Sequence, residues 1–213
     1  MLGIEIRRAT KRHGARVIFH ELSLGVEAGD CVGISGPTGA GKTTLLRVIA
    51  GLDTLDAGEI RFSGRSVDGV APHARDVNMA FQDFALWPHM TVRGHLEFVL
   101  QERVVARGER NARIDGLLDA YSMRAHSTQY PPELSGGEQQ RLGIARAVAT
   151  GPSILLLDEP VSNQNAAMKR ECLEQIRREQ LARGMTVVIV THHPEELAGI
   201  ATEVFGFESL QGA

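Results

Sequence analysis

Gly36-Pro37-Thr38-Gly39-Ala40-Gly41-Lys42-Thr43 has the spacing GxxxxGK(S/T), and it lies between an apolar strand-like run at 31–35 and a helical run at 44–50. This is a pattern for holding phosphate. Glycines let the backbone curl with its N–H groups pointing inward at phosphate oxygens, where side chains would obstruct them. The start of the following helix adds partial positive charge. Within the motif, Lys42 is placed to reach the β- and γ-phosphates of a nucleotide, Thr43 to ligate Mg²⁺, and Thr44 to donate to the α-phosphate. The bland alternative, a merely glycine-rich turn, leaves the flanking strand and helix unexplained. A dinucleotide loop fails on its third glycine, because Gly39-Ala40-Gly41 is followed by Lys42, Thr43 and Thr44.

A second constellation is the run Ile154-Leu155-Leu156-Leu157-Asp158-Glu159-Pro160, which delivers two carboxylates at the end of an apolar strand. Doubly wound sheets place their ligands at such ends. Asp158 can hold Mg²⁺ through water, and Glu159, with the opposite side-chain direction, is placed to polarise a water attacking the γ-phosphate. Asp-Glu-Pro as a simple strand cap is the competing explanation, and the nearby phosphate loop weakens it. The lysine census bears on the base. Lys11, Lys42 and Lys169 are the only lysines, and none follows an asparagine as in the Asn-Lys-x-Asp element of guanine-specific proteins. ATP is therefore favoured over GTP.

Elements able to position these groups recur along the chain. Short apolar runs rich in β-branched residues, at 32–35, 77–81, 154–157 and 187–190, alternate with helical stretches, which predicts a parallel sheet covered by helices. Residues 2–27 read instead as short strands with a turn at Gly14, an antiparallel β subdomain abutting that core. Between 91 and 150 helical signals take over, with Leu96, Val99, Leu100 and Val104, then Ile114, Leu117 and Leu118, at helical spacing. A last helix near 166–183 carries Met168, Cys172 and Ile176 as a core-facing stripe. The fold expected is α/β: a P-loop NTPase parallel core, an N-terminal antiparallel β subdomain and a helical insertion, in one domain spanning 1–213.

Composition bounds the function classes. A chain of 213 residues with 43% hydrophobic and 23% charged residues can bury a real core. A net charge of −3 argues against a nucleic-acid partner. No apolar run approaches the roughly 20 residues that cross a bilayer, and Arg7 and Arg8 follow rather than precede the first apolar residues, so no secretory signal is expected. Cys31 and Cys172 are distant in sequence and outside any CxxC pair, so both read as buried small side chains.

Leu134-Ser135-Gly136-Gly137-Glu138-Gln139-Gln140-Arg141 is not explained by a phosphate loop alone, and it resembles the signature motif of ATP-binding cassette (ABC) ATPases. Physically, Ser135, Gly136 and Gly137 at a helix start make a second anion site, while Ser135 with Glu138 reads as a capping box. The resemblance spans nearly the whole chain. It implies a head-to-tail dimer in which each ATP lies between the phosphate loop of one subunit and the signature of the other. It also implies that Gln82 is the glutamine sensing Mg²⁺ and the γ-phosphate, and that His192 is the switch histidine. A metal site at His192-His193 is disfavoured because adjacent side chains diverge.

The segment 81–92, from Phe81-Gln82 through Trp87-Pro88-His89, looks like that of bacterial importer ATPases for sugars, polyamines, sulfate, molybdate or iron. There it lines a groove for a helix of the membrane subunit, and Phe84, Leu86 and Trp87 would supply the contact, with ordinary packing as the alternative. The resemblance thus implies a subunit energising an importer at the cytoplasmic face of the membrane, with permease subunits and an extracytoplasmic solute-binding protein as partners. Shorter relatives for thiamine and tungstate manage without a regulatory β domain, and none is expected beyond Phe207. A soluble ABC ATPase and a weakly hydrolysing ATP-binding switch stay open as alternatives. Two departures stand out: His13 occupies the usual place of the adenine-stacking Tyr or Trp, with Phe19 as a second possible platform, and Ser162-Asn163-Gln164-Asn165 replaces the usual Ser-x-Leu-Asp.

Overall fold

The computed structural model describes residues 1–102, 107–162 and 165–212, so Val104, Asn163 and Gln164 lie outside the described residues. Strands β1 (Ile4–His13) and β2 (Arg16–Val26) form the expected antiparallel hairpin, pairing from Ile4 with Val26 to His13 with Arg16. After β3 (Cys31–Ser35) and α1 (Lys42–Ala50), the chain returns to this subdomain as β4 (Ala57–Phe62) and β5 (Arg65–Ser66), giving the order β2-β1-β4-β5. The reading of 2–27 alone missed these two strands. Their hairpin turns on Ser63 and Gly64, both left-handed at φ 46° and 82°, which suits a two-residue connection between twisted strands. Gly58 admits no side chain, since a Cβ there would lie 2.5 Å from the Arg8 carbonyl oxygen.

The central sheet continues through β6 (Val77–Ala80), α2 (Val92–Glu102), α3 (Arg107–Ala120), α4 (Gly136–Ala149), β7 (Ile154–Asp158), α5 (Ala166–Arg183), β8 (Thr186–Thr191) and β9 (Glu203–Gly206). Its order is β6-β7-β8-β3-β9, all parallel. Every residue of β7 and β8 is buried, as strands covered on both faces must be. Period two then divides them between two cores. Leu155, Leu157, Val187 and Ile189 pack with the helices, whereas Ile154, Leu156, Val188 and Val190 pack with α1 and the antiparallel sheet. Each such side chain contributes about 1.5–3 kcal/mol on burial.

The predicted helical stretch contains α2, α3 and α4, with Leu96, Leu100, Ile114, Leu117 and Leu118 buried in the same cluster as the sheet residues. In α5 the buried stripe is Cys172, Leu173, Ile176 and Gln180, while Met168 is only partly buried. Both cysteines are buried thiols rather than disulfide partners, and burial pushes Cys31 up to about 11. No described helix is long and apolar enough to cross a membrane.

Asn165 begins α5 by accepting the Met168 amide on Oδ1 at 3.0 Å. An aspartate caps as well and adds a favourable charge at the helix start, so Asn165→Asp is expected to hold or raise unfolding free energy by up to about 0.5 kcal/mol. Denaturant unfolding checks this, and a loss above about 1 kcal/mol would contradict the cap.

His95 of α2 is wholly buried, with Nδ1 2.8 Å from the Thr91 carbonyl and Nε2 2.9 Å from the Trp87 amide. The ring therefore carries its proton on Nδ1 and accepts on Nε2. Burial holds its pKa below the ordinary 6.5, helped by the Arg146 and His89 charges and opposed by the Thr91 carbonyl. Below pH 6.5 the unfolded chain binds a proton that the folded ring refuses, so this residue's stabilisation is present above that pH and is lost as pH falls. His95→Gln supplies an acceptor and a donor without titrating. The parent's melting temperature is expected to fall more steeply than the variant's between about pH 7 and pH 5; parallel curves would refute the assignment.

Candidate functional site

The strand order places β6, β7, β8 and β3 side by side, about 4.8 Å from one to the next. Their C-terminal ends lead into Gln82, Asp158-Glu159, His192 and Gly36 respectively. Residues far apart in the chain thus meet along one edge. Thr38, Gly39, Gly41, Lys42, Thr43 and Thr44 line a cleft of about 210 Å³ together with Gln82 and Glu159.

The phosphate loop has the backbone its glycines allow. Gly39 and Gly41 sit at φ 81° and 111°, and a Cβ on Gly41 would meet Ile18 Cγ2 at 2.7 Å. The Ala40 amide donates to the Pro37 carbonyl at 3.3 Å. The buried Lys42 ammonium donates to the Gly36 and Pro37 carbonyls at 2.7 and 2.9 Å. Burial lowers its pKa, while Glu159 and Asp158 favour the charged form.

Asp158 is buried, and desolvation raises its pKa against the hydrogen bond from Thr43 and the charge of Lys42. Its Oδ2 is buried with no donor. An acceptor oxygen left bare beside the Thr43 hydroxyl fits a divalent cation, which would satisfy it without a proton. Glu159 stands in a left-handed conformation, φ 48°. Its amide donates to Val190 at 3.0 Å, and its carbonyl accepts from Gln140 of α4 at 3.3 Å. Its carboxylate meets His192 Nδ1 at 3.0 Å. The two histidines do not diverge as expected: the rings of His192 and His193 lie 4.1 Å apart, and His193 pairs instead with Glu195 at 3.0 Å.

The signature segment starts α4 as a capping box, with the Ser135 amide donating to Glu138 Oε2 at 2.7 Å and the Glu138 amide donating to Ser135 Oγ at 3.4 Å. Ser135 and Gly136 are exposed, Gly137 and Glu138 partly so, and none of the four lines the cleft of its own chain. His13 does not line it either. Its ring is half exposed and turned to Asp53, with Nε2 3.5 Å from Oδ2. Phe19 is no alternative platform, being fully buried edge-on to Phe207. Arg16, opposite His13 in the hairpin, and Ile18 line the cleft instead; the period-two signal was available, since burial of Phe19 turns 16 and 18 to the other face.

Phe84, Leu86 and Trp87 are each partly buried and make packing contacts within the chain. Phe84 lies over Gly143, Leu86 packs on the helical core, and Trp87 stacks with Arg146, His95 and Phe98. A groove of about 370 Å³ does open nearby, lined by Leu52, Met79, Phe81, Phe98 and Val99 among others. Leu52 and Phe98 are about 40% exposed.

A phosphate loop after β3, a buried aspartate with a bare oxygen ending β7 and a glutamate–histidine pair beside them define a phosphate-loop nucleotide-binding protein. More closely, the chain belongs to the ABC transporter family, whose family model matches residues 19–162. It is 37% identical over 203 residues to the Fe(3+) ions import ATP-binding protein FbpC of Fusobacterium nucleatum, covering 95% of this chain and 55% of that one. It is 41% identical over 201 residues to the sulfate/thiosulfate import ATP-binding protein CysA 2 of Chromobacterium violaceum, covering 94% and 55%. The chain spans about half the length of the curated relatives it matches. Among solved structures, a dimeric post-hydrolysis state of the ATP-binding cassette MJ0796 bound to ADP and Pi superposes with a TM-score of 0.86 at 26% identity, covering 95% of this chain and 93% of that chain.

Proposed function

We propose that the chain is an ATP-hydrolysing cassette subunit that energises a bacterial importer, working as a head-to-tail dimer on the cytoplasmic face of the membrane. The observation that carries the reading is the Glu159–His192 pair at 3.0 Å, with Glu159 lining the phosphate-loop cleft. ATP enters with its phosphates against the backbone N–H groups of Thr38, Gly39 and Gly41, which line the cleft. Lys42 exchanges loop carbonyls for phosphate oxygens. Mg²⁺, when bound, neutralises phosphate charge, and Thr43, Asp158 and Gln82 are the residues to hold it. Glu159 orients the attacking water and accepts its proton. His192 keeps the Glu159 carboxylate aimed, while Val190 and Gln140 fix its backbone. Ser135 and the amides of Gly136 and Gly137 serve the partner subunit's nucleotide, which agrees with their exposure away from the chain's own cleft; Glu138 holds that helix start in shape.

The apolar groove beside α2 supports a permease partner, since Leu52 and Phe98 offer apolar area to a docking helix. A solute-binding protein on the opposite side of the membrane completes the system. The iron, sulfate and spermidine/putrescine names of relatives favour import without choosing a cargo. Steady-state release of phosphate from Mg·ATP by the purified chain tests the enzyme. Mass spectrometry of proteins copurifying from detergent-solubilised membrane tests the partner: absence of any polytopic protein would sink the transport reading.

A further inference from the structure

Two residues beyond Gln82 the backbone adopts a conformation that bulky residues avoid. Phe84 and Ala85 lie consecutively in the left-handed region, at φ 60° and 42°. Both carbonyls are held by one side chain: Arg146 of α4 donates from one terminal nitrogen to Phe84 at 2.9 Å and from the other to Ala85 at 2.6 Å. Its guanidinium also lies 4.8 Å from the ring centroid of Trp87. Trp87 is in turn fixed by its amide, which donates to His95, and by the edge of Phe98 at 5.1 Å. Three residues before Arg146, Gly143 faces Phe84, whose Cβ lies 3.4 Å from where a Cβ on Gly143 would stand, so the segment rests directly on α4.

We infer that Arg146 is a positioning residue that locks the segment following Gln82 onto α4, so that the glutamine and the signature helix move as one unit. The inference rests on the ATPase reading for its consequence. The planar fork of arginine reaches two carbonyls and a ring at once, which a lysine ammonium cannot do. The same helix reaches the site a second time through Gln140 and the Glu159 carbonyl. Tilting α4 therefore shifts both the backbone of the catalytic carboxylate and the loop of the sensing glutamine.

The test uses Arg146→Lys in the full chain, with Trp87, the one tryptophan, as reporter. In the nucleotide-free protein, Trp87 emission is expected to shift to longer wavelength and become more open to acrylamide quenching. Turnover is expected to fall about tenfold, while the Kd for Mg·ATP stays within about twofold, because the phosphate loop is untouched. Adding Ala85→Gly restores much of the lost turnover, since glycine holds the left-handed backbone without the clamp. Trp87→Phe keeps a weaker ring under the guanidinium and gives a smaller fall of about twofold to threefold, also at unchanged Kd; it decides the matter should Arg146→Lys not fold. Unchanged turnover in the variants, or loss of ATP affinity in step with turnover, overturns the inference. A parent without ATPase activity would instead sink the enzymatic reading, and the Trp87 emission change would still test the clamp.

Discussion

Glu159→Gln is expected to cut ATP turnover about 10³-fold while leaving nucleotide affinity within about threefold of the parent. That factor is about 4 kcal/mol of transition-state stabilisation. The shape of the side chain survives the change. Its Oε1 still accepts from His192, and the backbone contacts to Val190 and Gln140 do not involve the side chain. On the proposed function, what is lost is the basic oxygen that takes the proton of the attacking water. Removing a negative charge near the phosphates leaves affinity unharmed or slightly better, so the ATP state accumulates. Gel filtration with Mg·ATP should then reveal a trapped dimer, and phosphate release should read the lost turnover. A variant that hydrolyses at the parent rate removes Glu159 from the mechanism.

How much of this was legible beforehand follows from where the signal resides. The phosphate loop, the 154–159 run and the central strands were readable because spacing and continuous apolarity are local properties, and β7 and β8 are as buried as their composition demands. Strand β9 was not, because Glu203-Val204-Phe205-Gly206 is short and mostly exposed; its ladder comes from pairing with β3, about 170 residues earlier. The same distance problem governs side-chain partners. His13 turns to Asp53, forty residues on, and Trp87 meets Arg146, fifty-nine residues on. Residue types announced an aromatic platform and an apolar contact, but which group each side chain faces is settled by the packing of α4 and of the loop after α1. Glu159 shows the converse: its place at the end of an apolar strand was readable, whereas its left-handed backbone was not.

Lys42→Ala is expected to weaken Mg·ATP binding by about thirtyfold to a hundredfold, the loss of one or two charge-assisted bonds to phosphate, and to reduce hydrolysis to background. The Lys42 side chain does two things, and they separate by experiment. Without nucleotide its ammonium braces the loop through the Gly36 and Pro37 carbonyls, at the cost of burying a cation whose pKa is lowered by that burial. Those opposing effects leave the stability of the nucleotide-free chain changed by about 1 kcal/mol or less. On the proposed function the cation faces the phosphates once nucleotide binds, and the other two lysines are engaged elsewhere, Lys11 with Asp53 and Lys169 with Glu196. Ligand-linked stabilisation reads the second effect alone. At an ATP concentration of about 100 times the parent Kd, binding adds about 2.7 kcal/mol to the parent, and a hundredfold weaker variant gains only about 0.4 kcal/mol. The ATP-induced rise in melting temperature should therefore nearly vanish in Lys42→Ala. Lys42→Met, which keeps the apolar stem, should lose it equally if charge is responsible. A methionine variant that retained the full ATP-induced rise would show that the stem's packing, and not the ammonium, holds the nucleotide loop.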